Sequence, residues 1–359
     1  MANSQTRGAK VGIVANPAAG RDIRRLVAQA SVFPIAEKRN MMTRAFSALG
    51  TTGVDEVLLM PDGSGLSDRI QRALKLPLPE GQTWPKISFI DFEPEDSPAD
   101  TLRAVKRMVE QGVGAIIVLG GDGTNRLVAR AAGNVPLVSL STGTNNVFPV
   151  MREATIAGLA AGLVATGQVD ANEACYRNKV LRLEVNGTPS DLALVDLCIS
   201  DELFVGSKAL WRAEGLDQLF VSFAEADAIG LSSIAGLIRP VSRKAPFGLS
   251  LDLCAPAQAA RVVTAPIAPG IVVDVGIEAV NSFALGEAVP VRLGRGVVAL
   301  DGEREVEFAP ADQVVVRLAE DGPLSIDIEQ TMMLAAQHGL FVRNTHAARG
   351  AGVRTAQGG

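Results

Sequence analysis

The chain has 359 residues, of which 47% are hydrophobic, 20% charged and 4% aromatic, a composition that excludes an intrinsically disordered protein. Lys and Arg total 34 against 39 Asp and Glu, so the formal charge of −5 excludes a bulk electrostatic grip on nucleic acid or on an anionic membrane surface. No apolar run approaches the roughly 20 residues of a spanning helix, and three scattered cysteines (Cys175, Cys198, Cys254) with two histidines (His338, His346) make neither a disulfide framework nor a metal spacing.

The amino end, Met1 to Lys10, is polar and lacks a signal-peptide core, which with the cysteine usage points to a reducing cytoplasm. Val11 to Ala15 reads as a short strand that ends in a turn, Asn16-Pro17-Ala18-Ala19-Gly20. Ile23, Leu26, Val27 and Ala30 then recur at helical spacing. Glu56 to Met60 is a second strand, followed by a helix around Ile70, Ala73 and Leu74. Ile87 to Ile90 is a third. Ser97 caps a helix with Pro98 at its first position and Leu102, Val105, Met108 and Val109 on its apolar stripe. Ala115 to Leu119 and Pro136 to Leu140 are further strands, joined by a short helix from about Asn125 to Ala132. Apolar strands without alternation, separated by helices, predict an α/β domain with a mostly parallel sheet over residues 1–150.

After a helix around Ile156 to Thr166 the pattern changes. Leu181, Leu183 and Val185 alternate with polar residues, Asn186-Gly187 signals a hairpin, and Leu192 to Ile199 reads as one return strand. Strands are predicted at Leu249–Leu253, Ala260–Thr264, Ile271–Val275, Val289–Leu293, Val297–Leu300 and Gln313–Leu318. Short strands with Gly/Pro turns predict an all-β sandwich domain over 151–322. Ile326 to Leu340 returns to helical character, so a C-terminal helix over 323–342 is expected to pack back on the first domain. The Gly-rich tail 343–359 is expected to be disordered.

Three loops follow predicted parallel strands, where ligands bind in open α/β sheets. They are Asn16 to Arg21 (with Gly20), Gly120-Gly121-Asp122-Gly123-Thr124-Asn125, and Ser141-Thr142-Gly143-Thr144-Asn145-Asn146. Three glycines let the second loop bring its N–H groups against an anion, with a helix amino end behind them. A carboxylate inside such a cradle serves phosphoryl transfer better than passive phosphate binding, as proton acceptor or beside Mg²⁺. The same fragment also suits a plain strand-to-helix turn in which Asp122 caps the helix, and Asn145-Asn146 suits a turn as well. No P-loop, no Gly-x-Gly-x-x-Gly and no Gly-x-Ser-x-Gly elbow is present. Lys38, Arg39, Arg44, Lys208, Arg239, Arg243 and Lys244 are the candidate phosphate clamps.

The Gly120–Thr124 motif resembles the signature of the NAD kinase, diacylglycerol/sphingosine kinase and 6-phosphofructokinase superfamily, and the other two loops resemble those of its diacylglycerol-kinase-like branch. Asn16 to Arg25, Gly120 to Asn125, Ser141 to Pro149 and Ala228 to Pro240 resemble most closely the bacterial ATP–NAD kinase family proteins of the acetoin catabolism protein X type. The resemblance spans most of Lys10 to Val342. It implies a two-domain kinase using ATP (or polyphosphate) and Mg²⁺, with metal ligands unassigned and Asp122 as general base toward a hydroxyl of NAD or a related nucleotide, so forming NADP. It implies phosphate contacts at Gly121, Gly123 and Thr124 and substrate contacts at Asp196, Asp227, Ser232, Ser233 and Asp301. Small-molecule nucleotides are the expected partners, with no nucleic acid or membrane, in a homo-oligomer. One departure matters: Val195 stands where NAD kinases carry the Asn of an Asn-acid pair, leaving only Asp196. A lipid or sphingoid kinase and a non-catalytic nucleotide-binding accessory protein are the alternatives.

Overall fold

The computed structural model describes residues 8–16, 33–78, 80–143, 145–201 and 215–343. The predicted helix around Ile23, together with Gly20, Arg21, Thr144, Lys208 and the tail beyond Arg343, lies outside them.

The first half alternates as expected: β1 (Lys10–Ala15), α1 (Ile35–Thr51), β2 (Glu56–Leu59), α2 (Leu66–Ala73), β3 (Lys86–Phe89), α3 (Pro98–Glu110), β4 (Ala115–Gly120), α4 (Asp122–Ala132) and β5 (Leu137–Ser141). The five strands are parallel in the order β3-β2-β1-β4-β5. Successive residues of each strand feed opposite layers. Ile13, Ile117 and Leu140 pack with α1 and with α5 (Ala154–Ala165), whereas Val14, Ile116 and Val118 pack with Val105 and Met108 of α3 and Val128 of α4. Burial on both faces explains why these strands show no polar alternation. Ser97 is the N-cap residue of α3 with Pro98 next, as expected, and its N–H donates to the Asp100 carboxylate at 3.2 Å.

Two short strands complete this sheet from the far end of the chain. β18 (Leu324–Ile326) pairs parallel to β5, and β6 (Cys175–Arg177), which follows α6 (Ala171–Ala174), pairs antiparallel to β18. Between β6 and β18 the chain builds an antiparallel sandwich. One sheet has the order β12-β13-β11-β10-β9-β15-β16 and the other β14-β17-β7-β8. Their strands are β7 (Val180–Val185), β8 (Thr188–Ala193), β9 (Asp196–Ser200), β10 (Leu216–Val221), β11 (Phe247–Cys254), β12 (Arg261–Ala268), β13 (Ile271–Ala284), β14 (Ala288–Pro290), β15 (Gly296–Leu300), β16 (Glu303–Phe308) and β17 (Val314–Ala319). Leu181, Leu183, Val316 and Leu318 of the smaller sheet share a core with Ile199, Phe220 and Val298 of the larger. Asn186 and Gly187 both adopt positive φ in the β7–β8 turn, as a two-residue hairpin requires. A helix, α7 (Ser232–Ile238), packs on the larger sheet, and the final helix α8 (Ile328–Gln337) returns to α5 and α6.

The structure corrects two sequence expectations. Helix α4 begins at Asp122 rather than near Asn125, so the carboxylate sits in the helix's first turn. The run Leu192–Ile199 is not one strand: it divides at Leu194–Val195 into β8 of one sheet and β9 of the other. The Asp301 carboxylate causes the division. It accepts the N–H groups of Leu194 (3.0 Å), Val195 (2.8 Å) and Asp196 (3.4 Å), which releases the crossing segment from ladder pairing without orphaning its donors. Among the described residues, no helix is long and apolar enough to cross a membrane.

Candidate functional site

The order β3-β2-β1-β4-β5 reverses between β1 and β4, and Asn16 at the carboxyl end of β1 meets the loop leaving β4 beside that switch point, with the loop leaving β5 next to it. The Asn16 N–H donates to Leu119 O (3.3 Å), and its side-chain amide donates to Thr124 Oγ1 (3.3 Å). Lys38, fully buried on α1, donates its ammonium to Asn16 O at 2.7 Å. Gly121 caps α4, and a Cβ there would lie 2.6 Å from Asn146 Oδ1, so any side chain would push the Asn146 amide out of its place. Asn125, also buried, donates its side-chain amide to Gly121 O at 2.9 Å. Asn16 thus touches the second predicted loop, and the second touches the third at Asn146.

Asp122 is half-buried, and its carboxylate reaches across to the third loop. Oδ1 accepts the Phe148 N–H at 2.8 Å, and both oxygens accept the Val147 N–H at 3.1 Å. The carbonyls of the same two residues are held from the sandwich side. Arg243 donates Nη2 to Val147 O (2.8 Å) and Nη1 to Phe148 O (3.0 Å). Its guanidinium lies 4.1 Å from the Phe223 ring centroid and pairs with Glu225 at 3.1 Å. The Val147-Phe148 dipeptide is therefore gripped by an anion at its donors and a cation at its acceptors, one from each domain.

This dipeptide forms a wall of a cleft of about 670 Å³ between the domains. Ser139 and Ser141 of β5 with Tyr176 and Ser325 lie on one side; Glu225, Asp227 and Ile229 lie on the other; Asn146 to Met151 run along the edge. Burial raises the pKa of the Tyr176 phenol above its ordinary value. Of the cleft lining, the sequence marks Ser141, Gly143, Asn146, Asp227 and Arg243 but not Tyr176, Ser139, Ser325 or Glu225. The available signals were faint: Tyr176 is the single tyrosine of the chain, and β5 carries two serines in an otherwise apolar strand.

The remaining predicted residues are spread more widely. Asp196 is buried at the start of β9, next to the Asp301 bracket. Burial pushes the Asp301 carboxyl up to about 6, against the opposing pull of Arg126 and of its three backbone N–H donors. Buried Arg126 of α4 is held above its ordinary pKa by Asp301, Asp191 and Glu305, which outweigh its loss of hydration, and it donates to Glu305 at 2.8 Å. Ser232 and Ser233 are buried in α7, where Ser233 donates to Gly230 O (2.7 Å). Gly123 lies beside Glu303. Of the candidate clamps, Arg39 bonds Asn40, Arg44 pairs with Glu37 and Glu153, and Arg239 lies over Phe247.

Two family models match the chain: the ATP-NAD kinase N-terminal domain over residues 11–169 and the acetoin catabolism protein X C-terminal domain over residues 179–321. Acetoin catabolism protein X of Cupriavidus necator is 45% identical over 335 residues, which cover 92% of this chain and 93% of that protein. The chain belongs to the acetoin catabolism protein X family. Among solved structures, yeast NADH kinase complexed with NADH matches with a TM-score of 0.53 at 14% identity, over 98% of this chain and 91% of that one. This family member therefore has the two-domain fold of NAD kinases, with the Gly120–Thr124 loop at the inter-domain face.

Proposed function

We propose that the protein is a phosphotransferase that moves a phosphoryl group from ATP, or from polyphosphate, to a hydroxyl of NAD or a related nucleotide. The observation that carries this reading is the meeting of Asn16 and the loops after β4 and β5 beside the switch point, with the Asp122 carboxylate at the amino end of α4. The acceptor oxygen attacks the terminal phosphorus, the bond to the leaving diphosphate oxygen breaks, and Asp122 takes the hydroxyl proton. A carboxylate that accepts backbone N–H groups can also accept a hydroxyl proton, so the hold on Val147 and Phe148 is compatible with that task.

The loop chemistry fits a polyphosphate. The amino end of an eleven-residue helix, entered through Gly120-Gly121, is an anion site. Buried Thr142 Oγ1 and Asn125 Oδ1 and the Asn145 Oδ1 of the third loop have no hydrogen-bond partner among the described residues. Among those residues no three metal-ligating side chains cluster, so Mg²⁺ would be held chiefly by phosphate oxygens and water, with Asp122 the carboxylate at hand; it would screen the charge on the phosphates. Gly20, Arg21, Gly143 and Thr144 belong to the same proposed phosphate site. Asp196, Asp227, Ser232, Ser233 and Asp301 belong to the proposed acceptor side. We place the enzyme in the cytoplasm as a homo-oligomer, where its three free thiols stay reduced.

In a coupled assay with ATP and NAD, Asp122→Asn is expected to lower turnover by at least about a hundredfold while ATP binding survives. Unchanged turnover removes Asp122 from the mechanism. One observation favours a second reading, a nucleotide-binding accessory protein: the carboxylate is already committed to a loop, and Val195 replaces the dinucleotide-holding Asn. ATP binding by calorimetry, with no product from NAD, diacylglycerol or a sphingoid base under any donor, would establish it.

A further inference from the structure

Helix α8 is apolar on two faces, and the fold uses one of them. Ile328, Met332 and Ala335 pack inward on the layer formed by α1 and α5. Glu329, Met333, Ala336 and Gln337 recur at the same helical spacing on the outer side, where all four are exposed. Glu329 is the one charged residue between Ile328 and Gln337. The outer side of α3, by contrast, presents Lys106, Arg107 and Glu110 to water, as a solvated helix does.

The helix stops sharply. Gly339 takes a φ of 66°, its N–H donates to Ala336 O, and the Leu340 N–H donates to Ala335 O, each at 3.0 Å. In this closure the residue after the glycine ordinarily folds back onto its own helix. Leu340 is nonetheless 37% exposed, Phe341 and Val342 follow at 46% and 72%, and Met333 is 47% exposed. Four large apolar side chains thus share the outer side and end of one helix. Such a grouping marks an interaction surface, unlike the single apolar residues scattered over any protein.

The charges at the two ends of this face select its occupant. Glu329 stands in the first turn of α8, His338 caps the last turn, and Arg343 lies beyond it. An anion at one end and cations at the other make the face complementary to itself when two copies lie antiparallel, an arrangement that also opposes the two helix dipoles. Ala336, the small residue midway, then falls on the two-fold axis and lets the backbones approach, with Met333 of one copy against Leu340 of the other. The chain beyond Arg343 holds a single large apolar residue, Val353, so it cannot supply the missing apolar face.

We infer that this face of α8 is the two-fold interface of a homodimer, the helices antiparallel with Ala336 on the axis. The inference locates the contact of the homo-oligomer proposed above and does not depend on phosphoryl transfer, which the coupled assay reads separately. A standard interface takes roughly 800 Å² from each partner and one helix face offers less, so micromolar affinity is expected.

Sedimentation velocity on the full chain tests it, with the sedimentation coefficient expected to rise from that of a monomer to that of a dimer between about 1 and 100 μM. Met333→Glu puts a carboxylate in the apolar centre and is expected to weaken the dimer at least about tenfold, with the melting temperature of dilute protein unchanged because the side chain is exposed. Glu329→Arg is expected to weaken it about threefold, and Arg343→Glu added to it to restore the parent affinity. On mild oxidation Ala336→Cys is expected to give a disulfide-linked dimer. Glu329→Cys is expected to give none, because its two copies lie roughly 20 Å apart along the helices. The parent chain, whose three thiols are buried or half-buried, is the control. A monomer throughout the concentration range, a charge reversal that the second substitution does not restore, or cross-linking through Glu329→Cys and not through Ala336→Cys overturns the inference. A dimer untouched by Met333→Glu also overturns it, while leaving a homo-oligomer built on another face.

Discussion

Asp122 and Arg243 act on the same two residues, and neither partner of that clamp could be read from the other. Gly-Gly-Asp-Gly marks Asp122 in the sequence, but what it holds is a pair of backbone N–H groups 25 and 26 residues later, which carry no side-chain signature. Arg243 was one of seven cations with equal claims. The fold alone selects it, by placing its planar fork across two successive carbonyls and on the Phe223 ring. Arg243→Gln removes two charge-assisted hydrogen bonds and a cation–π contact, for an expected loss of about 2–3 kcal/mol of stability. Arg243→Lys is expected to recover less than half of it, because one ammonium cannot span both carbonyls. Urea midpoints measure both. A Gln variant within about 0.5 kcal/mol of the parent would mean that the clamp carries no weight.

At the scale of elements, the five parallel strands were legible because burial on two faces leaves an unbroken apolar run. β6 and β18 are three residues each, too short to show any period. α1 escaped because Lys38, a charged residue in its first turn, lies inward and interrupts the apolar stripe that Met41, Met42, Ala45, Phe46 and Leu49 continue. Leu192–Ile199 looked like one strand because the carboxylate that divides it lies more than a hundred residues downstream. The packing of α1 on α5 shows a similar effect of distant residues on a local preference. Alanine favours a helix over glycine by about 1 kcal/mol, so Gly162→Ala looks stabilising on sequence alone. A Cβ there would stand 1.9 Å from Thr52 Oγ1, and Thr52 is buried and donates to Leu49 O at 2.9 Å, so it cannot yield. The expected outcome is a net destabilisation of about 1–3 kcal/mol, read from thermal unfolding. A stabilised variant would show that α1 and α5 can move apart at little cost.

On the scale of the whole molecule, the sandwich is an insertion whose two chain ends leave the parallel sheet through neighbouring strands, β6 and β18. Gly322 N–H donates to Asn178 O and Asn178 N–H to Pro323 O, each at 3.1 Å, so the connections are zipped together at the sheet edge. Arg126 to Glu305 and Arg243 to the Val147-Phe148 carbonyls tie the domains at two further places, which fixes the cleft walls relative to each other. Lys179 stands at the zipped junction. It donates to Phe247 O at 2.7 Å and to Ser242 O at 3.4 Å, so it also holds the turn that presents Arg243. Burial lowers its pKa to about 8, with Glu320 opposing. Free lysine titrates near 10.4, so between about pH 8 and 10.4 the unfolded chain binds a proton here that the folded chain has released. Stability from this group therefore rises with pH across that window and is flat below it. Other groups titrate there as well, so the informative quantity is the difference between the parent and Lys179→Met, in urea unfolding at pH 7.5, 8.5 and 9.5. The parent is expected to gain stability relative to the variant as pH rises. Parallel pH profiles would place the Lys179 ammonium in water rather than in the junction, and the turn carrying Arg243 would then need another support.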